Sequence, residues 1–261
     1  MSAAAISHKS IVPSWLRGWI VPLALVLLWD LLTRFKLVNT LLLATPASVL
    51  KVLAQQLREG ELFPALAASL QRDLIGFGIG SVGGLVVGSA MGLSRLADKL
   101  VGPTFHAAKQ VAIFAWIPLI SVWFTGEPAK IVFIALSAFY PVVLNTFEGI
   151  RSVGREHVEV ARVFRFSHAQ IFRKVVLPGA LPSIFSGLHL ALVYSWLGTL
   201  GAEYLLAPGL GIGNLMIDGR EQFKMDKVLL GVIIAGAVGY ALNALSTRLE
   251  TRLTRWRVRA A

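Results

Sequence analysis

Six apolar runs of 17 to 23 residues recur along this 261-residue chain, at 19–35, 74–93, 105–124, 131–150, 184–206 and 228–245. No other feature restricts the fold as strongly. About 20 residues of helix, rising 1.5 Å each, cross the roughly 30 Å of hydrocarbon in a bilayer. Backbone in lipid must satisfy its own hydrogen bonds, so runs of this length are helices rather than open strands. The expected fold is an all-α polytopic membrane protein of about six transmembrane helices. Composition agrees, with 56% hydrophobic and 15% charged residues, against about 25% charged in soluble domains. Pro118 and Pro141 interrupt two of the runs, which membrane helices tolerate. His8, Lys9 and Arg17 before the first run resemble the basic region of a signal peptide. Five more apolar runs follow and no small-residue cleavage site succeeds the first, so it is expected to remain as a span.

A net charge of +11 would suggest nucleic acid if it formed one patch. Membrane topology accounts for it instead. With the N-terminus inside, the inner segments hold 16 of the 25 Lys and Arg residues. The nine outside are largely offset by acidic neighbours such as Asp73, Glu127 and Asp218. This asymmetry predicts cytoplasmic N- and C-termini and no nucleic-acid partner. Cysteine is absent, which excludes disulfides and thiolate chemistry.

The boundaries that follow are an N-terminal cytoplasmic segment at 1–18, a transmembrane domain at 19–247 and a basic cytoplasmic tail at 248–261. Thr45 and Pro46 read as the N-cap and first residue of a helix. Val49, Leu50, Leu53 and Leu57 would form its apolar face, against the membrane surface or the bundle. Asp30 and Arg34, four residues apart, should pair. Gly76, Gly80, Gly84, Gly88 and Gly92 repeat every fourth residue, a small-residue stripe that lets a neighbouring backbone approach closely. Glu203 lies in the fifth run, where an ionisable group suggests a pathway or gating role. Near the outer end it could instead be wet and paired with an outer-loop base. His189 reads as a packing residue, a proton relay or a substrate contact on the translocation pathway. Tyr194, Ser195, Trp196 and Thr199 suit a translocation wall and helix packing equally. The cluster Gly209, Gly211 and Gly213 reads as an outer turn.

The most informative segment is 151–182. Residues 156–164 can form a short helix with Glu159 and Arg162 in water and Val160, Val163 and Phe164 on the other side. Ser167 and Gln170 have the spacing of a capping box, so a second helix should start there and stop near Pro178. The product is a bent cytoplasmic arm between the fourth and fifth spans.

Those residues resemble the EAA loop of binding-protein-dependent ATP-binding cassette importer permeases, a pattern of Glu-Ala-Ala, three residues, Gly, nine residues and Ile-x-Leu-Pro. Glu159, Ala161, Leu177 and Pro178 match in register. Val160, Val175 and Arg165 depart from it, Arg165 standing where the pattern has glycine. The stretches 115–119, 139–146, 175–182 and 211–213 extend the resemblance to the nitrate, sulfonate and taurine group, most of all its aliphatic sulfonate permeases. It implies a type I importer-like homodimer in a bacterial inner membrane, two ATPase subunits that carry ATP and Mg, and a periplasmic substrate-binding protein. It also implies that Glu159, Ala161, Arg162, Phe164, Arg165, Leu177 and Pro178 couple to the ATPase. This chain itself has no phosphate-binding loop, no metal-ligand cluster and no nucleophile beside a base, so it is expected to bind no cofactor and to be a transport subunit rather than an enzyme. The rival expectations are a secondary transporter driven through Glu203 and His189, which should show paired repeats, and a membrane scaffold.

Overall fold

The computed structural model describes residues 14–39 and 43–253, and helices are the regular structure it contains among them. The expected segments at 1–18 and 248–261 therefore lie partly outside the described residues. Helix α1 (Ser14–Arg34) is followed by α2 (Pro46–Glu59), α3 (Leu62–Leu93) and α4 (Arg95–Ala108). A 3₁₀ turn at Ile113–Trp116 leads into α5 (Ile117–Trp123), then α6 (Glu127–Arg151) and α7 (Arg155–Val163). Helix α8 (His168–Ile171) passes through a π-turn at Phe172–Val176 into α9 (Leu177–Leu205), and α10 (Ile212–Glu221) and α11 (Met225–Leu253) complete the order.

Four helical segments, Leu62–Leu93, Glu127–Arg151, His168–Leu205 and Met225–Arg252, are long and apolar enough to cross a membrane. A fifth crossing forms if α4 and the 113–123 segment act as one span. The remaining expected run, 19–35, falls on α1, whose side chains from Ile20 to Leu28 face outward. Two expectations need correction. The run at 105–124 is not one helix, because the chain bends by 99° between α4 and the segment that follows. Pro118 sits in the first turn of α5, where its missing N–H leaves no helical bond unmade, so it opens a new helix after the break. The run at 74–93 starts 12 residues earlier, at Leu62, and therefore carries Arg72 and Asp73 inside the helix.

Helix α6 is the centre of the bundle, with Phe133, Ile134, Ala138, Val142 and Val143 fully buried between α3 and α9. The glycine stripe of α3 lies against it. A Cβ placed on Gly84 would lie 2.7 Å from the Cβ of Val142, and one on Gly88 2.7 Å from the carbonyl oxygen of Val143. The two backbones meet because these positions carry no side chain. Helix α11 is tied to α9 through Trp196, whose Nε1 donates to the Ala235 carbonyl at 3.0 Å. Thr45 caps α2 by accepting from the Ser48 amide at 3.1 Å, with Pro46 in the first turn. Of the apolar face expected on α2, Val49 is buried against Leu230 while Leu50 and Leu57 stay exposed. Asp30 and Arg34 pair at 2.7 Å.

Candidate functional site

The arm after α6 is built from local hydrogen bonds. Helix α7 ends at Phe164, and Arg165 takes the left-handed conformation at φ 55°. The Phe166 amide donates to the Ala161 carbonyl at 3.1 Å and the Arg165 amide to the Arg162 carbonyl at 2.8 Å. This pair of bonds is a Schellman termination, which ordinarily has glycine at the left-handed residue. Arginine makes the same turn here. Changing Arg165→Gly should relieve roughly 1–2 kcal/mol of left-handed strain, against roughly 0.5–1 kcal/mol of added chain entropy lost on folding. The expected outcome is a thermal midpoint higher by a few degrees or less in detergent-solubilised protein.

The capping box forms as the spacing predicts, with Gln170 Oε1 accepting from the Ser167 amide at 2.8 Å and Ser167 Oγ accepting from the Gln170 amide at 3.4 Å. The helix it starts does not stop at Pro178. It widens into the π-turn at Phe172–Val176 and continues as α9, with Pro178 in that helix's first turn. Proline has no amide to donate and its ring crowds the carbonyl four residues before it; a wider turn makes room without ending the helix. The arm is thus one short helix, a turn at 164–167 and the capped start of a 38-residue span.

Ala161 is the arm's anchor. It is buried with Ile150, Ile171, Val176, Ala180 and Ile184, and Val158, Phe166 and Leu177 pack against that cluster. The side chains expected to turn away from water are in the open instead. Val160 is 56% exposed, Val163 81% and Phe164 71%, and Glu159, Arg162, Arg165 and Pro178 are exposed beside them. The tip of the arm is an apolar ridge flanked by charge. Arg151 pairs with Asp98 at 2.7 Å, so the junction into the arm and the turn between α3 and α4 share one end of the bundle.

At the other end a charge network is buried among α3, α6 and α9. Glu203 is 1% exposed, not wet, and its partner is Arg72 of α3 rather than a loop residue. Arg72 Nη1 donates to Glu203 Oε1 at 2.6 Å and to the Leu210 carbonyl at 2.6 Å. Its Nε and Nη2 hold both oxygens of Glu127 in a fork. Ser69 Oγ and the Gly213 amide also reach Glu203, at 2.8 Å each. Lys130, fully buried, lies 3.3 Å from Glu127. The turn at 206–211 folds over this network. A Cβ on Gly213 would lie 2.7 Å from that of Glu203, and one on Gly211 2.5 Å from both carboxylate oxygens. The two glycines let the backbone close over a buried acid. That function of the Gly209, Gly211 and Gly213 cluster was hidden in the sequence, as were Ser69, Arg72, Glu127 and Lys130; the glycine spacing next to a span containing Glu203 was the available signal.

Midway along α6 and α9 lies a cavity of about 550 Å³. Tyr140 and Asn145 of α6, Tyr194 of α9 and the residues of the α4 break, Lys109 to Phe114, line it. Of the four α9 side chains considered for a translocation wall, Tyr194 is the one that lines this cavity. Trp196 faces α11. Ser195 and Thr199 are buried, and Thr199 Oγ1 lies 3.3 Å from Asp73 of α3. His189 is half-buried, and its Nδ1 has no hydrogen-bond partner among the described residues.

Comparison with known proteins gives this geometry a family. Residues 80–257 match the family described as binding-protein-dependent transport system inner membrane component. The chain is 36% identical over 244 residues to the Bacillus subtilis (strain 168) protein provisionally named aliphatic sulfonates transport permease protein SsuC, spanning 93% of this chain and 88% of the relative. It is 38% identical over 199 residues to the bicarbonate transport system permease protein CmpB of Synechococcus elongatus, spanning 76% of this chain and 70% of that one. Among solved structures, an inward-facing form of the MetNI methionine ABC transporter superposes with a TM-score of 0.61 at 18% identity, over 74% of this chain and 96% of that one, a likeness of fold. A helical bundle with an arm between two spans, matched along two thirds of its length by one family and along nearly all of it by a named permease, leaves one assignment: the chain belongs to the binding-protein-dependent transport system inner membrane components, as an ATP-binding cassette importer permease of the nitrate, sulfonate and taurine group.

Proposed function

We propose that this permease moves a small organosulfur anion, an aliphatic sulfonate in preference to taurine or nitrate, across a bacterial inner membrane. It acts as a homodimer with two copies of a separate ATPase, which holds ATP and Mg, and receives substrate from a periplasmic binding protein. Both termini and the 151–182 arm face the cytoplasm. The observation that carries this reading is the exposed ridge of Val160, Val163 and Phe164 on a helix anchored by Ala161. Exposed apolar side chains rimmed by charge mark a docking surface, and Ala161 on the same helix packs in one cluster with Val176 of the π-turn and Ala180 and Ile184 of α9, so movement at the ridge is transmitted to α9. The sulfonate preference is supported by the names of the Bacillus subtilis and Escherichia coli relatives.

The test is to replace Phe164→Asp and Glu159→Lys and to follow ATPase co-purification and ATP-driven uptake in proteoliposomes. Neither side chain packs inside the subunit, so the variants should fold normally, lose the ATPase and show uptake reduced at least tenfold. Full uptake by the Phe164 variant would refute the coupling role. Uptake by the wild-type chain alone, without ATP, would favour a secondary transporter.

A further inference from the structure

Lys109 stands apart from every other basic residue near the bundle's centre. It follows the last residue of α4, at the break where the chain bends by 99°. It lines the cavity at the level of Tyr140 to Asn145, halfway along α6. The ion pairs found among the described residues join Asp30 to Arg34, Glu127 and Glu203 to Arg72, Glu127 to Lys130, and Asp98 to Arg151. Lys109 is in none of them, and no Asp or Glu among the described residues lines the cavity. Lys109 is half-buried on the cavity wall, and a cation without an ion-pair partner on the wall of a membrane-spanning bundle is expensive unless it serves something.

The neutral lining completes the site. Asn145 Nδ2 already donates to the Pro141 carbonyl at 2.8 Å and Ser137 Oγ to the Phe133 carbonyl at 2.9 Å. Among the lining side chains, the phenols of Tyr140 and Tyr194, the amide of Gln110 and the second N–H of Asn145 remain as donors. Phe114, Leu144 and Leu197 supply apolar wall. One cation, a few convergent donors and an apolar remainder describe a site for a small organic ion. A single charge also suits passage, because a transported ion must be held strongly enough to enter and weakly enough to leave.

We propose that Lys109, assisted by the Tyr140 and Tyr194 hydroxyls, forms an anion-selecting site within the membrane for a monoanion that carries a short apolar tail. The ammonium and hydroxyls meet the anionic oxygens, and the tail lies on Phe114 and Leu144. A zwitterion with its own ammonium group finds no counter-charge in this lining. The proposal rests on the importer reading above and gives that reading a place where substrate is chosen after release from the binding protein.

The experiment uses the whole importer in proteoliposomes, with radiolabelled ethanesulfonate presented by saturating binding protein. Lys109→Gln should lower uptake at least tenfold, Lys109→Arg should keep most of it, and Tyr194→Phe should lower it a few-fold. ATPase co-purification and the thermal midpoint of the solubilised complex should be the same in all three, which a merely structural lysine would not ensure. Wild-type uptake by Lys109→Gln, or equal loss in the Gln and Arg variants, overturns the site while leaving the importer reading intact. Absence of ATP-driven uptake by the wild-type complex overturns the importer reading, and this proposal with it.

Discussion

Replacing Arg72→Ala is expected to destabilise the protein by about 3–5 kcal/mol, the cost of removing one partner from a buried ion pair. Glu203 would keep its bonds from Ser69 and Gly213 but lose its cation partner among the described residues. Glu127 would lose the fork, and the Leu210 carbonyl its donor, so the turn at 206–211 should open as well. The measurement is the thermal midpoint and the monodisperse fraction of solubilised protein. The pair Arg72→Met with Glu203→Gln should cost less than Arg72→Ala alone, because no buried charge is left without its partner. If Arg72→Ala melts with the wild type, the network does not hold this end of the bundle together.

The second large effect is expected on the glycine stripe. Gly88→Ala places a methyl 2.7 Å from the Val143 carbonyl oxygen and 2.8 Å from the Thr146 Cβ, on a helix that is buried on this side. Overpacking of this kind costs about 1–3 kcal/mol, and Gly88→Val, with two more carbons, should prevent α3 and α6 from meeting and abolish recovery of folded protein. Gly78 is the control, since a Cβ there meets nothing within 4 Å. Gly78→Ala should be neutral or slightly stabilising, alanine being the better helix former by about 1 kcal/mol. Equal melting of the Gly78 and Gly88 variants would show that the stripe is not a contact surface.

Much of the fold was legible because its causes are local. Hydropathy over 20 residues locates the long spans, since lipid acts on each segment separately. The caps at Thr45 and Ser167 depend on atoms three residues apart. The 151–182 arm was legible for the same reason, the register of its resemblance being carried by a few residues close in sequence. Pro178 was misread as a stop because its cost was judged without the π-turn that accommodates it. Val163 and Phe164 were assigned to an apolar side, but whether a partner surface within the subunit covers that side is not a local property.

What the chain by itself determined was a helical membrane bundle, its small-residue face and its protruding arm, because each follows from hydrogen bonds and solvent preferences within one segment. What the tertiary structure alone decided was the meaning of the isolated charges. Arg72 counted as an outer basic residue just before the 74–93 run and neutralises Glu203, 131 positions away, in the fold; Lys109 counted as one more inner basic residue until the bend after α4 placed it on the cavity wall. A window average treats a charge as exposed to its surroundings, whereas the energy of a buried charge is set by the partner that long-range packing brings to it.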